Sequence, residues 1–188
     1  MKTKTSVKAK TKQKFLDAFW KIYKEKRIER ISIKEICQIA GYNRSTFYEY
    51  FIDIYDVLEQ IEDKLIPTKE LLPPINIMSK KFGVPLEIFL KIYEENSEFY
   101  SVLLGDNGDP SFATKLKNST KKLLKEEIQE DIKMDSDNLD YLLEYVLSAM
   151  IGIMSYWFKS GKTISLNELI SLITLINERG ISDIIYKD

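Results

Sequence analysis

Residues 31–51 read ISIKEICQIAGYNRSTFYEYF, and their spacing decides the fold. Ser32 is placed as a helix N-cap with Glu35 three residues on, the two halves of a capping box, and Ile31 and Ile36 stand where a hydrophobic staple closes over that cap. Ile33, Ile36, Cys37 and Ala40 then fall at i, i+3, i+4 and i+7, one apolar face. Gly41 supplies the positive φ that ends a helix, and Asn43 caps the next one. Tyr42 and Phe47 repeat the staple spacing. The second helix opens on Arg44, Ser45 and Thr46, while Phe47, Tyr50 and Phe51 give it an apolar side. Two short helices across a tight turn, the second polar in its first turn, predict a helix-turn-helix whose second helix enters a DNA major groove.

Within that helix the residue types assign roles. Arg44 has the planar fork that pairs bidentately with guanine O6 and N7. Ser45 and Thr46 lie in the first turn, where side chains and backbone N–H groups meet base edges and phosphates. Glu49 is expected to point to solvent.

The stretch and the helices around it resemble the DNA-binding domain of the tetracycline-repressor (TetR) family of transcription regulators. The likeness rests on Phe15-Leu16-Asp17-Ala18-Phe19, Ser32-Ile33, Ile36, Ala40-Gly41-Tyr42-Asn43, Ser45-Thr46-Phe47-Tyr48 and Tyr50-Phe51, and it runs to the neighbourhood of Leu65. It implies that Lys10, Ser32, Asn43, Arg44, Ser45, Thr46, Tyr48 and Tyr50 face DNA, with Tyr48 and Tyr50 on phosphates. It also implies a dimer built by the last two long helices. The chain departs from the family after Phe51. A proline usually follows there and a lysine commonly opens the next helix, where this chain has Ile52 and Ile54, so that phosphate contact does not carry over.

Charge is divided along the chain. Residues 1–50 hold ten lysines and three arginines against five acids, a net of +8; the whole chain is −1, so residues 51–188 sum to −9. A basic module joined to an acidic remainder is the electrostatic footprint of a DNA reader fused to something that does not touch DNA. Composition is that of a globular protein, 44% hydrophobic and 30% charged. The single cysteine, Cys37, excludes an internal disulfide and reads as a small buried thiol. With no histidine, His-ligated metals and histidine triads are excluded, and no cofactor is expected. No apolar stretch follows the basic N-terminus, so a cytoplasmic location is expected.

Taken in order, Met1–Lys14 carries six lysines and no acid; it predicts a basic arm on the DNA backbone or minor groove. A first helix is expected from about Lys10 to Lys26, burying Phe15, Leu16, Phe19, Trp20, Ile22 and Tyr23. Asp53 should cap a fourth helix, stapled by Ile52 and Val57, with Ile54, Val57, Leu58, Ile61 and Leu65 as its stripe. Prolines 67, 73, 74 and 85 with Gly83 break the periodicity and mark a domain boundary, giving a DNA-binding domain over 1–66 and a helical ligand-binding and dimerisation domain over 67–188. Four or five helices follow. Gly105–Pro110 reads as a turn; its acids lack the spacing of a calcium loop. The run FYSVLLGDNGDPSF resembles regulators of the dihydroxyacetone-kinase type. Phe112–Asp131 is amphipathic. Tyr141–Phe158 is apolar enough to approach a membrane span, but acids precede it and Glu144 lies within it, so it is expected to be buried on all sides, part core and part dimer interface. Ser165–Arg179 completes half of an intersubunit four-helix bundle.

The fold class is therefore all-α, and the expected function is a homodimeric DNA-binding regulator, a repressor of a palindromic operator, modulated by a small molecule. Candidate effector-binding residues are Phe89, Tyr93, Tyr100, Phe112, Tyr145, Met150 and Met154. Glu144, the one charge in its run, suggests an apolar or cationic effector. The alternative is a protein-binding co-regulator on the same fold. No nucleophile–base pair, metal cluster or phosphate loop favours an enzyme, and no membrane partner is expected.

Overall fold

A computed structural model of the chain describes residues 4–71, 86–128 and 134–179. The chain divides into two compact units, Met1–Leu65 with Asp106–Gly108, and Ile66–Gly105 with Asp109–Asp188. All the regular structure among the described residues is helical.

The first unit holds α1 (Lys4–Tyr23), a 3₁₀ turn (Ile28–Arg30), α2 (Ile33–Ala40), α3 (Arg44–Tyr48) and α4 (Ile54–Glu62). Its centre is Phe15, fully buried, whose ring lies 5.3 Å from Tyr42, 5.5 Å from Phe47, 6.2 Å from Tyr50 and 6.1 Å from Phe51. One side chain of α1 thus holds the turn, the recognition helix and the exit from it. Leu16, Phe19, Trp20, Ile22 and Tyr23 bury the rest of the α1 face, and Ile36, Cys37 and Ala40 of α2 pack below. Burial raises the pKa of the Cys37 thiol, so it stays protonated. Gly41 ends α2 at φ +76°; a Cβ there would meet nothing within 4 Å, so backbone conformation rather than space calls for glycine.

Two expectations are corrected here. From Lys4 onward the basic terminus is part of α1 and not a separate arm. Once the Phe15 turn is packed, each further residue adds a backbone hydrogen bond without a new nucleation cost, and buried Thr11 ties the extra turns to the turn before α3, its hydroxyl lying 3.3 Å from that of Tyr42. Nor does Ile52 staple α4. Asp53 caps that helix, accepting the N–H groups of Tyr55 and Asp56 at 2.8 and 2.9 Å, but the Asp56 carboxylate takes the Ile52 N–H at 2.8 Å and the Ile52 side chain is left 81% exposed.

The second unit contains, among the described residues, α5 (Leu86–Glu95), α6 (Ser97–Leu103), α7 (Pro110–Ile128), α8 (Ser136–Lys159) and α9 (Leu166–Arg179). α7 packs on α8, α5 on α9, and α6 on α5, α7 and α8. Proline fits the first turn of α7 because the N–H it lacks would have no helical partner. Asp109 before it accepts the Ser111 N–H at 2.8 Å, so this acid caps a helix. α8 is capped by Asp135 and ends in left-handed Gly161 and Lys162, while Ser165 and Glu168 form a capping box at the start of α9.

α8 is long and apolar enough to cross a membrane by length and composition, yet it is neither all buried nor all exposed. Leu139, Leu143, Val146, Leu147, Met150, Met154, Trp157 and Phe158 are buried, whereas Tyr141, Tyr145, Ser148, Ala149, Gly152 and Tyr156 form an exposed stripe on the other side. The expectation of burial on all sides therefore fails within the single chain. Glu144 is corrected too. It stands at the edge of the buried face, half-exposed and paired with Lys117 and Lys121, while Asp140 one turn earlier pairs with Lys125 at 2.9 Å and Lys121 at 3.7 Å. These hydrogen-bonded lysines, Lys117 for Glu144 and Lys125 for Asp140, hold both carboxylates below their usual pKa. Glu144 serves the α7–α8 seam.

Candidate nucleic-acid interface

Local capping builds the reading surface. At the start of α2, Ser32 Oγ accepts the Glu35 N–H at 3.3 Å and donates to Glu35 Oε2 at 2.9 Å, while Glu35 accepts the Ser32 N–H at 3.0 Å. Lys26 reaches the other oxygen at 2.7 Å. The Lys26 hydrogen bond, followed by those from Ser32, lowers the Glu35 pKa to about 2. At the start of α3, Asn43 Oδ1 accepts three donors: the Thr46 N–H at 2.9 Å and the hydroxyls of Thr46 and Ser45 at 2.9 and 2.7 Å. The Asn43 amide nitrogen is then the side chain's remaining donor group.

Of the sequence-predicted DNA residues, Asn43, Arg44 and Ser45 are exposed together on the first turn of α3, and Tyr48 follows one turn later, 58% exposed. Glu49 is exposed beside it. Thr46 is half-buried, and Tyr50 is half-buried against Phe15 and Phe51. Ser32 is exposed but already committed to its capping box. Lys10 is exposed on α1, about 140° round the helix from Phe15 at 3.6 residues per turn. The structure thus brings Asn43, Arg44, Ser45 and Tyr48 onto one solvent-facing surface and leaves Lys10 off the face that packs on the helix-turn-helix.

Sequence reasoning missed Tyr42 as more than a staple. Its hydroxyl lies 3.3 Å from Thr11 Oγ1, its ring packs on Phe15, and the Lys14 ammonium sits 5.5 Å from its ring centre. Thr11, a hydroxyl one turn before Phe15 on its inward face, was the available signal.

The candidate effector residues divide in the same way. Tyr93, Tyr100 and Phe112 form one buried aromatic cluster, with ring centroids 4.5 Å and 6.1 Å apart. Burial raises both phenol pKa values, so both stay neutral. Met150 and Met154 are buried along α8, whereas Tyr145 is 66% exposed on its opposite face and does not join them. Phe89 falls outside the described side chains. Thr120, which the sequence reading passed over, lies on the α7 face that also carries Phe112 and Leu116; it is 1% exposed, and its hydroxyl has no hydrogen-bond partner among the described residues.

A helix-turn-helix that presents arginine and hydroxyl side chains from a three-residue turn, in one chain with a separate helical unit, defines a DNA-binding transcription regulator. Residues 85–178, half of the chain, match the family model described as the C-terminal region of transcriptional regulators of the TetR type, and the chain belongs to the TetR family. Among solved structures, a TetR transcriptional regulator from Streptococcus agalactiae 2603V is 20% identical, with 94% of this chain and 98% of that one covered at a TM-score of 0.67. The dihydroxyacetone kinase operon activator DhaS is 25% identical, with 88% and 93% covered at a TM-score of 0.58, in keeping with the C-terminal likeness to that branch. No curated protein sequence matches the chain.

Proposed function

We propose that two copies of the chain bind a palindromic operator, each placing Arg44, Ser45 and Tyr48 in a major groove, and that a small molecule in the second unit modulates the complex, with repression as the default outcome. The observation that carries this reading is the exposure of Asn43, Arg44, Ser45 and Tyr48 on a helix whose buried Phe47 is clamped by Phe15. One such helix spans only a few base pairs, so specificity calls for a second copy one helical turn away.

The exposed stripe on α8 supports the dimer. Tyr141, Tyr145 and Tyr156 are 78%, 66% and 74% exposed, with Ser148, Ala149 and Gly152 between them, small enough for close helix approach; Leu172 on α9 is exposed as well. At about 200 Å² per tyrosine, these three present about 400 Å², half of the roughly 800 Å² per partner that a stable interface buries. The buried cluster of Tyr93, Tyr100 and Phe112 supports an effector that is mostly apolar. Its binding would favour a spacing of the two α3 helices that no longer fits both half-sites.

One observation favours the alternative of a co-regulator acting by protein contact. α4 begins with Asp53 and Asp56 beside exposed Ile52 and Tyr55, where the family places a phosphate-binding lysine. Capture of sheared genomic DNA on the immobilised protein separates the two. Operator reading yields a few discrete fragments bound at two protomers per duplex by sedimentation; capture of all DNA alike, or of none, leaves the co-regulator.

A further inference from the structure

The face of α1 that packs on the helix-turn-helix does not stop where the core stops. At about 100° per residue, Thr11 and Lys12 lie within about 60° of Phe15, and Lys8 within about 20°. The inward stripe of Phe19 and Phe15 therefore continues through Thr11 and Lys12 to Lys8. Thr11 is buried and Lys12 half-buried, with its ammonium 6.0 Å from the centre of the Phe51 ring. One turn further out Val7 is 54% exposed and Lys8 is exposed, and the first acid along the chain is Asp17. The overhang is fixed relative to the reading head at one point. Tyr42, next to Asn43 and Arg44 in the turn that launches α3, bonds Thr11 through its hydroxyl and packs its ring on Phe15.

We propose that the Lys8 and Lys12 face of α1 is a rigid contact for DNA backbone phosphates lying outside the base pairs read by α3, and that Tyr42 is the positioning residue that sets it. This rests on the DNA-reading role proposed above. The occupant follows from charge and continuity. Lys8 and Lys12, about 6 Å apart along the helix axis and about 40° apart around it, match a row of phosphates. The stripe also adjoins the turn that carries the base-reading side chains. Held as a helix, the stretch tracks the backbone and does not thread the minor groove, and Lys10, on another side of the helix, contributes less than Lys8.

Anisotropy titrations of the full-length protein across a salt series test this, on the duplex it prefers in two lengths, one trimmed to the read base pairs and one extended by a few base pairs at each end. The wild-type protein should bind the longer duplex more tightly. Lys8→Gln should remove most of that gain and flatten the salt dependence by about 0.9 per bound protomer, about 1.8 for the two copies, which makes the affinity loss between 50 and 200 mM salt about 12-fold smaller. Tyr42→Phe, which keeps the ring and loses the hydroxyl, should reduce the gain from the longer duplex while base preference holds. Unchanged slope and unchanged length effect in Lys8→Gln would overturn the contact. An equal loss on both lengths in Tyr42→Phe would make Tyr42 merely structural. Base preference of the wild-type protein reports separately on α3, since the Lys8 slope can be read on preferred and unrelated duplexes alike.

Discussion

Phe15 is where folding and DNA reading meet, and Phe15→Ala separates them from the rest of the chain. The ring is fully buried and touches four others, from the turn, from α3 and from the segment that leaves it. Truncating a buried phenylalanine to alanine costs about 3–5 kcal/mol. A unit ending at Leu65 has a total stability of about 3–10 kcal/mol at ordinary values per residue. The substitution should therefore unfold much or all of the first unit. Phe15→Leu, at about 1–2 kcal/mol, should leave it folded with a melting point lower by about 5–15 °C. The two tryptophans make this readable, because buried Trp20 belongs to the first unit and buried Trp157 to the second. In a Trp157→Phe background, Phe15→Ala should expose Trp20 and abolish operator binding; in a Trp20→Phe background, Trp157 emission should stay that of a buried indole. If Trp20 remains buried and operator affinity stays within about twofold, Phe15 does not clamp the helix-turn-helix.

Other substitutions address the site and the assembly. Arg44→Ala should cost about 1–3 kcal/mol of operator binding and relax preference at one base pair, read by titrating single-site operator variants; an equal loss on every variant makes Arg44 a phosphate clamp. Glu35, with its pKa lowered to about 2 in the folded chain from 4.5, contributes stability that is complete above pH 4.5 and is lost as pH falls toward 2. Acid titration of the first unit's melting point should therefore be shallower in Glu35→Gln than in the wild-type protein. Ala149→Arg, at the exposed centre of the α8 stripe, should shift the chain to a monomer by sedimentation without lowering its helix content.

The helix-turn-helix was legible because short-range chemistry specifies it. Ser32, Asn43 and Asp53 cap the helices they were expected to cap, and Gly41 takes the positive φ the turn needs. The misreadings lie where tertiary contacts outvote local pattern. Lysine-rich residues 4–9 read as an arm because nothing local shows that Thr11 and Tyr42 pin the helix down. Ile52 fitted the staple spacing, but the Asp56 carboxylate took its N–H and left the side chain in water. In the apolar run of α8, composition alone does not set the phase. Met150 and Met154 turn inward while Tyr145 turns outward, and Glu144 finds lysines on α7, 23 to 27 residues away in sequence. The Thr120 hydroxyl could not be singled out, since burial of one threonine depends on packing from other helices.

The central claim is that the side chains opening α3 read DNA twice over. Selection of bound duplexes from a random pool by the purified protein tests both halves at once. A two-fold symmetric motif with half-sites about one helical turn apart should emerge, and its conserved guanine should fade in the Arg44→Ala protein. A pool that stays unenriched, or a motif with no symmetry, would contradict the account.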